Sequence, residues 1–158
     1  MNTVELLDAA LQLGSDCPFF IINKPAFATG RGEVLRPIEL DLSSYHFLLV
    51  HPNVHVSTAA AFAEIQPSPW KQQMQDVIKQ PIEGWRDHLL NDFEAPIFNT
   101  HPELRDIKSA LYDAGALYAS MSGSGSSFYG IFRERPADLV QQLSGRYSVS
   151  VHSPAPAG

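Results

Sequence analysis

One cysteine, Cys17, in 158 residues rules out an internal disulfide, and a chain built without disulfides suits a reducing compartment. No apolar run approaches the roughly 20 residues that a membrane-spanning helix needs. The first residues lack the basic-then-apolar start of a secretory signal, so a cytoplasmic protein is expected. Cations are scarce: 11 Lys and Arg stand against 17 Asp and Glu, for a net charge of −6. Nucleic acid and anionic membranes are gripped by clustered cations, so neither is expected as a partner, and any phosphate must be met by local donors. Familiar catalytic motifs are missing as well. His51 and His55 are four apart, but Pro52 and Asn53 intervene and no Glu follows His51, so the zinc-protease helix is absent and no metal site is expected. There is no Gly-x-Ser-x-Gly elbow, no dinucleotide fingerprint and no Gly-Lys-Ser/Thr of a Walker loop.

What is present, at 44% hydrophobic content, is enough for one packed domain, or one domain plus a piece of another. Residues 3–13 carry an apolar stripe at helical spacing, with Thr3 as N-cap and Gly14 as the C-terminal stop. That helix begins abruptly, as though the chain had been cut. The run "PFFII" at 18–22 reads as a short strand, followed by a loop with Pro25, Gly30 and Gly32. Strands are predicted over 33–40 and 45–52, and a helix over 57–65 capped by Ser57 or Thr58. It is broken by Pro67 and Pro69 and resumes over 70–79. Further helices are predicted over 82–92 and over 102–114, the second with Pro102 at its start and Gly115 at its stop. Strands over 117–122 and 127–133, a helix over 136–143, a strand over 147–153 and a loose "PAPAG" tail complete the chain. The mixed order points to an α+β layer structure.

Two short stretches carry chemical interest. In "YASMSGSGSSFYGIF" the run Ser122, Gly123, Ser124, Gly125, Ser126, Ser127 separates two strand-like segments. It fits a hairpin turn whose glycines supply positive φ. It equally fits a place where a phosphate or another backbone comes close to exposed N–H donors. In "LGSDCPFFI" the carboxylate Asp16 follows a helix end and precedes an apolar run. An ordinary helix-to-strand turn uses Asp in this way, and so does a general base held by rigid elements and sparingly solvated. Cys17, between Asp16 and Pro18, is a small buried hydrophobe unless a base lies beside it.

Taken together and in order, five segments resemble the GHMP kinase superfamily. More narrowly, they resemble its branch that phosphorylates a cytidine diphosphate-linked methylerythritol in the non-mevalonate route to isoprenoid precursors. The segments are "LGSDCPFFI", "ATGRGEVLRPI", "LLVHPNVHVSTAAAF", "NDFE" and "GALYASMSGSGSSFYGIF". The family's catalytic lysine and its glycine-rich ATP-phosphate loop lie upstream of the first helix, and neither is in this chain. The resemblance therefore implies the C-terminal part of such a kinase. Residues 1–30 would be a remnant of the N-terminal, ribosomal-S5-like catalytic domain. Residues 31–158 would form a ferredoxin-like domain, an antiparallel sheet with helices on one face.

By the same resemblance, Asp16 is the catalytic base that takes the proton of the acceptor hydroxyl. Thr58 lines the substrate pocket. Phe62, one helical turn on, stacks on the cytosine ring, although an ordinary core contact would suit its position equally well. Ser122, Gly123, Ser124, Gly125 and Ser126 form a turn beside the phosphates, and Asp16 and this turn face a shared cleft. ATP enters with Mg²⁺ and the partner is a small molecule. The isolated chain is expected to be inactive, and its unpartnered apolar surface to favour self-association as a homo-oligomer. A competing expectation is a non-catalytic α+β module, for ligand binding or dimerisation, that kept the fold and lost the chemistry.

Overall fold

The computed structural model describes residues 2–65 and 74–154. The chain divides into two units, Met1–Asp41 and Leu42–Gly158. Among the described residues, no helix is long and apolar enough to cross a membrane.

In the first unit, α1 (Thr3–Leu13) is capped one residue earlier than expected. The Asn2 side chain accepts from the Glu5 N–H at 2.9 Å, and the Glu5 carboxylate accepts from the Asn2 N–H at 3.0 Å, which is a capping box. Gly14 closes the helix in an extended conformation, donating to Ala10. The expected strand at 18–22 is instead a helix, α2 (Cys17–Ile22). Six apolar residues have no decisive period, so the flanking residues decide. Pro18 sits in the first turn, where its missing N–H costs nothing, and Asn23 adopts φ 46° to end the helix. Strands β1 (Ala26–Thr29) and β2 (Val34–Pro37) form an antiparallel hairpin. The sequence boundary drawn after residue 30 falls in its turn. Two short helices and a two-stranded hairpin cannot enclose a core. Leu13 is 85% exposed, Phe20 73% and Val4 66%, and among the described residues of this unit only Ala10 and Pro18 are buried.

The second unit is built on a four-stranded sheet of β3 (His46–His51), β4 (Tyr118–Met121), β5 (Phe128–Phe132) and β6 (Ser148–His152), in the order β4-β5-β3-β6. Every neighbouring pair is antiparallel. Helices α3 (Thr58–Glu64), α4 (Met74–Val77), α5 (Glu94–Thr100) and α6 (Pro102–Asp113) lie between β3 and β4 in the chain, and α7 (Ala137–Ser144) joins β5 to β6. These are two split β-α-β crossovers, the ferredoxin-like arrangement. Leu104, Ile107 and Leu111 share one face of α6 and pack, with Leu139 and Leu143 of α7, against Leu48, Val50, Met121 and Phe128 of the sheet. Pro102 begins α6 as expected, and Gly115, at φ 89°, follows its end.

Two helical expectations fail or shift. Over 82–92 there is a single 3₁₀ turn, Ile82–Gly84, followed by bends. Side-chain bonds hold that stretch in place of a helical ladder: Trp85 Nε1 donates to the Gln80 carbonyl five residues back, and the Tyr118 hydroxyl donates from β4 to the Leu89 carbonyl. Regular helix starts later, in α5, which tolerates Pro96 because it lies in the first turn. Of the helix predicted over 70–79, residues 70–73 lie outside the described residues, as does the tail from 155 onward.

Candidate functional site

β4 is an edge strand, and its outward backbone groups need partners. Ala119 and Met121 carry them. The Tyr112 hydroxyl accepts from the Ala119 N–H and donates to the Ala119 carbonyl, both at 3.1 Å. The Glu94 carboxylate accepts from the Met121 N–H at 2.8 Å, and Asn91 Nδ2 donates to the Met121 carbonyl at 2.9 Å. The last residue of β4 before the small-residue bend is thus pinned by side chains of the "NDFE" segment.

The bend itself, Ser122–Ser127, links β4 to β5. The Ser122 N–H donates to Ser127, and the Gly125 N–H to Ser122. Gly123 and Gly125 have φ of 57° and 92°, in the left-handed region that disfavours a side chain. At Gly125 a Cβ would also come within 2.7 Å of the Met121 sulfur, whereas at Gly123 it would meet open space. Two side chains from β3 and the segment after it reach the bend, and one side chain of the bend reaches back. Thr58 Oγ1 lies 3.1 Å from Ser124 Oγ. Ser126 Oγ donates to the Val54 carbonyl at 2.5 Å, and His51 Nδ1 lies 2.9 Å from Ser127 Oγ. Asn91 Nδ2 makes a second bond, to the Gly123 carbonyl at 2.8 Å. What remains outermost is the tip at Ser122 and Gly123, which is exposed.

Thr58 and the bend, both singled out in the sequence by the family resemblance, are therefore neighbours. Phe62 is one turn further along α3 and is 64% exposed, so its ring is not a core contact. Phe93 meets it edge-on at 4.9 Å and 83°. The Phe93 N–H is held by Asn91 Oδ1 at 3.0 Å, so Asn91 braces both the bend and the aromatic pair. Asp16 belongs to the other unit, where it precedes α2, is exposed, and makes no capping bond. Its carboxylate lies against Gly32, where a Cβ would collide with it.

The sequence reading missed the roles of His51, Asn91, Glu94 and Lys108. Glu94 is buried, and Lys108 Nζ sits 2.5 Å from its second oxygen, so the carboxylate that pins Met121 is itself neutralised. Only the tetrapeptide "NDFE" signalled this arrangement, and its partners lie 14 to 32 positions away.

Residues 74–148 match the family described as GHMP kinases C terminal. That match lies within the second unit, which therefore carries the C-terminal domain of the GHMP kinases, with the sheet order and the braced glycine-serine bend described above. Among these kinases, the similarity is to 4-diphosphocytidyl-2-C-methyl-D-erythritol kinases. The one from Azobacteroides pseudotrichonymphae is 48% identical over 153 residues, covering 96% of this chain and 55% of the relative. That of Bacteroides thetaiotaomicron is 50% identical over 123 residues, covering 78% and 45%. A crystal structure of 4-(cytidine 5'-diphospho)-2C-methyl-D-erythritol kinase superposes with TM-score 0.79 at 26% identity, over 92% of this chain and 55% of that one. A homoserine kinase from Cytophaga hutchinsonii, at 17% identity and TM-score 0.56 over 96% and 57%, shares the fold. The chain spans about half the length of the curated relatives it matches.

Proposed function

We propose that the chain is the C-terminal portion of an ATP-dependent kinase that phosphorylates a hydroxyl of 4-diphosphocytidyl-2-C-methyl-D-erythritol. The observation that carries this reading is the Thr58–Ser124 hydrogen bond beside the exposed Phe62 ring. It joins a polar wall, an aromatic face and a bend with small side chains in one unit. Such a set suits a planar base and a nearby phosphate. Phosphoryl transfer depends mostly on positioning and charge stabilisation. In this proposal Asp16 takes the proton of the acceptor hydroxyl as its oxygen attacks the γ-phosphorus, and ADP leaves. Phe62 stacks on cytosine, Thr58 lines the pocket, and the bend offers neutral donors at its exposed tip. Mg²⁺ travels with the nucleotide, since it is ordinarily bound through phosphates and one or two carboxylates.

The reading keeps the protein cytoplasmic and its partner a small molecule, and analytical ultracentrifugation tests the expected self-association. Nothing observed favours the non-catalytic module. The test is a chimera in which the upstream half of the Azobacteroides relative precedes this chain. It should phosphorylate the cytidine diphosphate-linked substrate, and Thr58→Ala should raise KM for that substrate more than for ATP. A folded chimera that hydrolyses or transfers nothing would contradict the reading. The chain alone should show no turnover.

A further inference from the structure

We propose that the outer face of α6 carries a second binding site, for a small hydroxylated phosphate ester. A cleft of about 310 Å³ opens between α6 and the turn at 86–87. That is the lower end of the size of small-molecule sites. Arg105, Lys108, Ser109 and Tyr112 line it at helical spacing, and Arg86 enters from the turn. Three cations thus gather at one place on a chain whose net charge is −6.

Each of the two arginines is held by an aromatic ring. The Arg86 guanidinium lies 4.1 Å from the centroid of the Tyr112 ring. That ring is itself fixed, because its hydroxyl is bonded to Ala119 on both sides. Arg105 sits 5.6 Å over the Phe98 ring. Neither forms an ion pair among the described residues. A guanidinium stacked on a ring keeps its edge N–H groups free, and these match two oxygens of a phosphate. Lys108, although paired with Glu94, also faces the cleft.

Asp87 and Asp113 complete the lining. Their charge opposes an extended polyanion, which argues against nucleic acid or a lipid surface. As acceptors, they suit the hydroxyls of a small polyol that carries one phosphate. Oxyanion recognition therefore comes from the arginines, and selection of the organic body from the two carboxylates.

The test is an NMR titration of the ¹⁵N-labelled chain with glycerol 3-phosphate, inorganic phosphate and glycerol. Glycerol 3-phosphate should give saturable shifts at the amides of Arg86, Ser109 and Tyr112, and bind more tightly than inorganic phosphate. Glycerol should give none. Arg105→Ala, at an exposed position, and Arg86→Ala should each weaken binding by about tenfold, the loss of a charge-assisted contact. Arg146→Ala, whose guanidinium also stacks on a tyrosine but lies outside the cleft, should leave it unchanged. Shifts that rise linearly with salt, or an unaltered affinity in both arginine variants, would overturn the site. Equal affinity for inorganic phosphate and the ester would overturn the role given to Asp87 and Asp113.

Discussion

Glu94 joins three features of the second unit: the start of α5, the edge of the sheet and the root of the bend. Its carboxylate is stabilised by the Met121 N–H and the Lys108 ammonium, with both side chains largely out of solvent. Lys108→Met should therefore strand a buried charge and cost about 3–5 kcal/mol in denaturant unfolding, whereas the double variant with Glu94→Gln should cost less than that single change. Gly125→Ala combines a positive φ with the Met121 contact, and should cost about 1–3 kcal/mol by the same measurement. Three tyrosines add a pH dependence. Burial raises the pKa of Tyr112, Tyr118 and Tyr129 above the ordinary value. The fold favours the neutral phenol, so this stability is fully present below about pH 10 and falls as pH climbs beyond it. Ultraviolet titration should show a late tyrosinate step that coincides with loss of the fold.

Among the elements, the edge strand β4 has its outward groups capped by side chains. Tyr112→Phe would leave the Ala119 N–H and carbonyl without their partner, costing about 1–3 kcal/mol and exposing an edge prone to pairing with other chains. Thermal unfolding and light scattering would read both effects. Elements differed in how well they could be read from sequence. α6 was legible because Leu104, Ile107 and Leu111 recur at helical spacing between Pro102 and Gly115. α2 was not, since six apolar residues fit a strand as well as a helix and the choice lay with Pro18 and Asn23. The stretch after Ile82 was misread because side-chain bonds from Trp85 and from the distant Tyr118, not the apolar pattern, shape it. Within the site, Thr58 and the bend could be named from motifs. The braces from Asn91, Glu94 and His51 could not, because a contact across dozens of residues leaves no local pattern.

Across the whole molecule, the two units differ in how well they bury their apolar residues. The second encloses a continuous core, while the first exposes Val4, Leu13 and Phe20. The proposed chemistry draws on both, with Asp16 in the first and Thr58, Phe62 and the bend in the second. The most direct test of that assignment is Asp16→Asn in the chimera with the upstream half of a relative. The account predicts a fall in kcat of about 10²–10⁴, the usual worth of a positioned base, with KM for both substrates nearly unchanged. Undiminished kcat in a folded Asp16→Asn chimera would contradict it.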